Sequence, residues 1–102
     1  MDPAIPDINI SDLVISTAGR DQGSLYYCIA VQQRYVMLAN GINRTMEAPK
    51  KKLLRHVQKV LRSDTRVAQK LRAGDKVLNS ELRKDLAELA GQLQSKIGRA
   101  HV

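Results

Sequence analysis

The chain has 102 residues, 43% of them hydrophobic and 26% charged, and its formal net charge is +7. That length suits one domain with a helical appendage and leaves no room for a second, catalytic one. One cysteine and two histidines exclude an internal disulfide and a zinc cluster, so no cofactor is expected.

The charge is uneven along the chain. Residues 1–31 carry Asp2, Asp7, Asp12 and Asp21 against Arg20, a balance of −3. Residues 32–62 carry Arg34, Arg44, Lys50, Lys51, Lys52, Arg55, Lys59 and Arg62 against Glu47, a balance of +7. From residue 63 onward eight bases face five acids, a balance of +3. A basic central block and a pI near 9.9 form the electrostatic footprint of a phosphate-backbone partner. A solvated basic surface, or attraction to acidic lipid, is the competing expectation. No apolar run approaches the roughly 18 residues that span a bilayer. The first 30 residues lack a basic start followed by an apolar stretch, so cytoplasmic residence without a membrane partner is expected.

In chain order, residues 1–11, with Pro3 and Pro6, are expected as an extended lead-in whose isoleucines pack weakly. The β-branched run Leu13 to Thr17 is a first strand. It ends at Ala18-Gly19-Arg20-Asp21-Gln22-Gly23, where glycine supplies positive φ angles. The second strand, Ser24 to Val31, places Leu25, Tyr27, Ile29 and Val31 on one face and Tyr26, Cys28 and Ala30 on the other. Cys28 is accordingly expected as a small buried hydrophobe. Tyr35 to Ala39 is a third strand, and Asn40-Gly41 matches a type I′ hairpin turn into a fourth, Ile42 to Met46. Leu53 to Val60 is the fifth. Five short strands over residues 12–62 predict a mainly β fold, a small, strongly bent barrel.

Residues 63–96 change period. A short helix around Val67, Ala68 and Leu71 follows a cap at Ser63 or Asp64 and ends before Gly74. Leu82, Leu86, Leu89, Leu93 and Ile97 then form one apolar stripe, capped by Asn79 or Ser80, with Glu81 in the first turn. The stripe is expected to pack on the barrel or the first helix, and a protein partner is its alternative use. Ile97 to Val102 matches a string that a ligated sequencing adapter can encode, so residues 97–102 are expected to be a non-native tail and His101 is given no role.

Asp12-Leu13-Val14, the Ala18 to Gly23 loop, Asn40-Gly41 with Arg44, and Pro49-Lys50-Lys51-Lys52 to Arg55-His56 together resemble the KOW-motif proteins. The likeness is to bacterial relatives of a KOW ribosomal protein of the archaeal and eukaryotic large subunit, and it covers about half the chain. Ser80 to Leu86, with Arg83-Lys84, resembles their C-terminal extension. The resemblance implies an SH3-like barrel with no catalytic activity that binds RNA, often ribosomal, as part of a ribonucleoprotein in translation or ribosome assembly. Gly23 matches the glycine around which the KOW loop turns. Gln22 departs from the basic residue frequent before it, which removes one phosphate contact.

The candidate RNA-binding residues are therefore Arg20, Gly23, Tyr26, Arg44, Lys50, Lys51, Lys52, Arg55, His56 and Lys59. Arg44 and Arg55 are suited to bidentate contacts and base stacking, the lysines to point charges. Alternation along a strand cannot aim three consecutive lysines at one face. Tyr27 and Tyr35 are expected in the core, leaving Tyr26 as the exposed ring for stacking. His56 is expected as a surface or half-buried hydrogen-bonding residue. No nucleophile–base pair or phosphate-cradling motif stands in the chain, so an enzyme is not expected. The alternative function is a non-enzymatic protein-interaction barrel of a transcription or translation complex.

Overall fold

The computed structural model describes residues 7–98. The expectations for residues 1–6, for the side chain of Ile97 and for the tail over residues 99–102 lie outside what is described. Five strands, β1 (Asp12–Ser16), β2 (Leu25–Gln32), β3 (Tyr35–Ala39), β4 (Lys50–Leu53) and β5 (Val57–Arg62), precede two helices, α1 (Arg66–Ala73) and α2 (Asn79–Gly98). The strands form one antiparallel sheet in the order β4-β3-β2-β1-β5.

Strand alternation sorts the apolar residues onto two faces. Leu13 stands opposite Tyr27 and Val14 opposite Tyr26, and a slip of one residue would exchange the faces. Leu13, Tyr27 and Ala39 pack with Val67, Ala68, Leu71, Leu82, Leu86 and Leu89 of the helices. The helical stripe therefore lies on the sheet, as expected. Val14, Tyr26, Cys28, Val36, Leu38 and Val57 fill the other face, where Ile8 joins them. The lead-in is thus firmer than expected at Ile8, which is buried in this second cluster. A bulge between Cys28 and Ala30 shifts the register, so Val31 sits opposite Val36 and leaves the face of Leu25 and Tyr27. Cys28 is buried as expected, and burial pushes its thiol up to about 12.

Two strand expectations are corrected. Ile42 to Met46 is a loop, because the Asn40 Oδ1 accepts the backbone N–H groups of Ile42 (2.9 Å) and Arg44 (3.1 Å). The Asn40 and Gly41 N–H groups in turn donate to the Arg44 carbonyl at 2.8 and 3.0 Å. Local bonds consume the groups a hairpin ladder needs, and β3 instead pairs with Lys50–Leu53. The fifth strand is likewise interrupted, since Leu54–His56 is a single 3-10 turn and β5 runs from Val57 to Arg62. β4 and β5 are the edges of the sheet, and no strand pairing joins them among the described residues. The 3-10 turn links the two edges and is anchored at both ends. Leu54 N–H donates to the Arg34 carbonyl (2.7 Å), and the His56 carbonyl accepts from Thr17 N–H (2.8 Å).

The helix caps also differ from expectation. Thr65, not Ser63 or Asp64, caps α1 by accepting from Ala68 N–H at 3.2 Å. Asn79 is the first residue of α2, and Leu78 before it donates its N–H to Glu81 Oε2 at 3.1 Å, one half of a capping box. The Asn79 side chain is thereby free to hold the loop, accepting from Met46 N–H and donating to Glu47 Oε1, each at 2.8 Å. Behind the helices, the Tyr27 hydroxyl donates to the Asp85 carboxylate and lies 2.8 Å from Ser63 Oγ, while Thr65 donates to Asp85 at 2.8 Å. Burial first, then the Asp85 acceptor, pushes the Tyr27 hydroxyl up to about 12.

Gly41 is needed for a reason other than a hairpin. Its φ is +77°, and a Cβ there would stand 2.3 Å from the Asn79 carbonyl oxygen and 2.9 Å from the Arg83 nitrogen. The helix docks on bare backbone. Gly23, at φ +93°, faces open space. Gly23→Ala is expected to cost about 1–2 kcal/mol, the strain of left-handed backbone. Gly41→Ala adds overpacking to that strain and should cost about 2–5 kcal/mol. Urea unfolding of the two variants checks the order, and equal losses would contradict the docking.

Candidate functional site

The β1–β2 loop is shaped by its own backbone before any side chain acts. Gly23 N–H donates to the Ser16 carbonyl at 2.8 Å, and Ser24 N–H to that of Asp21 at 2.9 Å. This directs the Asp21 side chain back over the sheet. Its Oδ1 accepts from Ser16 Oγ (2.9 Å) and Lys52 Nζ (2.8 Å), and its Oδ2 from the Tyr26 hydroxyl (2.8 Å). Lys52 also donates to the Ala18 carbonyl at 2.8 Å, and its side chain is only 9% exposed. Lys50 stands 3.8 Å from the same carboxylate. Burial alone would raise the Asp21 carboxyl, but hydrogen bonds from Lys52, Tyr26 and Ser16, with the Lys52 charge, hold it well below the usual carboxylate range.

Two expectations fail here for one reason. Tyr26 is not the exposed ring: it is 2% exposed, inside the second cluster, with its hydroxyl on Asp21. Lys52 does not face solvent, because it shares the Val36 side of the sheet and meets the half-buried Asp21 carboxylate. The alternation argument about three lysines holds. Lys51 faces the other way, opposite Met37, and is exposed.

The segmental charge imbalance is partly cancelled in the fold. Lys50 and Lys52 pair with Asp21, and Lys59 lies 3.2 Å from the buried Asp12. Arg62 is 3.8 Å from Asp64, on exposed side chains. Acids of the N-terminal segment thus meet bases of the central block across β1·β5 and the loop–β4 contact. Arg20, Arg34, Arg44, Lys51 and Arg55 have no carboxylate within 4.0 Å among the described residues. Arg20 and Arg55 are exposed and Arg44 half-buried. His56 is half-buried, as expected for a residue at the surface. Gly23 is the open tip of the loop.

The sequence reading missed Tyr35 and Arg34. Tyr35 is 37% exposed, and Lys51 Nζ sits 4.3 Å from its ring centroid, within cation–π range. Only the β3–β4 register reveals that contact, since Tyr35 opposite Leu53 and Met37 opposite Lys51 make the pair diagonal neighbours on one face. Among the described residues no group of His, Cys, Asp or Glu could hold a metal ion, and no helix is long and apolar enough to cross a membrane. No protein-family model matches this chain, and no curated protein matches it.

The Asp21 cluster has a pH signature. A carboxyl held low in the fold gives stability that is complete above the unfolded pKa of about 4 and is lost as pH falls below it. The urea midpoint should therefore drop on acidification from pH 5 toward pH 2.5. Asp21→Asn should lower the midpoint at pH 5 and flatten the slope below pH 4. An unchanged slope in that variant would remove Asp21 as its source.

Proposed function

We propose that this chain is an RNA-binding module of the SH3-like, KOW type, acting on structured RNA, with ribosomal RNA the foremost candidate, in translation or ribosome assembly in the cytoplasm. The architecture supports the fold part of that reading. β1, β2, β3 and β4 run as an antiparallel meander, β5 pairs with β1, and one 3-10 turn joins β4 to β5. One cluster containing residues of β1, β2, β3 and β5 fills the face away from the helices, as side chains fill the interior of a small bent barrel. The observation that carries the functional part is the set of cations up to residue 62 with no carboxylate partner among the described residues: Arg20, Arg34, Arg44, Lys51 and Arg55. Phosphate contacts from these groups fix placement, and RNA shape supplies selectivity.

A second reading, the protein-interaction barrel, is favoured by one feature. Leu25, Ile42, Leu86, Ala87 and Ala90 line a groove of about 210 Å³ beside α2, and Ile42 is 67% exposed. A salt titration against structured RNA separates the two. Four or five phosphate contacts give a slope of log affinity against log salt of about −3 to −4. Arg55→Ala and Arg20→Ala should each flatten it by about one contact. A slope near zero would contradict RNA binding and favour the groove.

A further inference from the structure

We infer that Tyr35 and Lys51 form a stacking platform for an unpaired RNA base, an inference that rests on the RNA-binding reading. The chain has three tyrosines and neither Trp nor Phe. Tyr26 and Tyr27 are buried at 2% and 0% exposure, whereas Tyr35 is 37% exposed. Tyr35 is therefore the one aromatic ring that a base can reach. Lys51 holds an ammonium 4.3 Å from the ring centroid, so ring and charge stand at one place, as a nucleotide requires. Lysine is a mobile point charge on a flexible stem and can leave the ring for a neighbouring phosphate. The Leu54 N–H to Arg34 carbonyl bond (2.7 Å) brings together the backbones that carry Arg34 and Arg55, and both side chains are exposed. These two cations are placed to take the flanking phosphates.

Stacking needs an open π-face, which duplex RNA does not offer and a loop or bulge does. The test uses two RNAs of equal length, a hairpin with an unpaired loop and a full duplex, with anisotropy read across a salt series. Wild type should bind the hairpin more tightly and lose tyrosine emission on binding. Tyr35→Leu should weaken hairpin binding about 5- to 150-fold while leaving the salt slope and the duplex affinity unchanged. Tyr35→Phe should restore the hairpin affinity, and circular dichroism checks that both variants fold. Hairpin binding by Tyr35→Leu equal to wild type, with the salt slope intact, would overturn the platform and leave the RNA reading standing. Absence of salt-dependent binding to either RNA would remove both.

Discussion

The rest of the structure depends on the contact between Lys52 and Asp21. An ammonium and a carboxylate this far out of water need full satisfaction. Ser16, Tyr26 and the Ala18 carbonyl supply the remaining partners. The contact fastens the β1–β2 loop to the edge strand β4, two segments about thirty residues apart that share no ladder. It also fixes which way the three lysines divide. With Lys52 turned inward, Lys51 is held on the opposite face, beside Tyr35.

Both faces of the sheet carry buried apolar residues, one beneath α1 and α2 and the other around Val14, Tyr26 and Val36, where Ile8 joins them. The cations Arg20, Lys51 and Arg55, without a carboxylate partner among the described residues, stand at the rim of the sheet, on the β1–β2 loop, the β4 edge and the 3-10 turn. Net charge is a poor guide to such a rim. The central block is basic by sequence, yet Asp12 and Asp21 neutralise several of its lysines in the fold. What stays available to an anionic partner is mainly arginine, whose fork suits phosphate recognition better than a point charge does.

Much of the fold was legible because local periodicity matched tertiary burial. The first three strands, the buried Cys28, the amphipathic stripe of α2 and the short α1 all follow from spacing of apolar residues. The loop over residues 40–49 was not legible, since Asn-Gly signals a turn of positive φ without saying what the turn packs against. Gly41 is bare for the sake of the Asn79 backbone, a contact 38 positions away. The aromatic residues were misassigned for a related reason. Alternation shows that Tyr26 and Tyr27 lie on opposite faces, but not that both faces are covered. Tyr35 is exposed while Ala39 of the same strand is buried with the helices. The division of charge between internal pairs and solvent needed the register of β4 and β5, which a single sequence does not display.

Residue-resolved lysine acylation, read by mass spectrometry with and without structured RNA, tests the central claim most directly. Lys51 should react in the free protein and be protected by RNA, while Lys52 stays unreactive in both states. Lys52 reacting as readily as Lys51 in the free, folded protein would contradict the Lys52–Asp21 pair and the division of charge built on it.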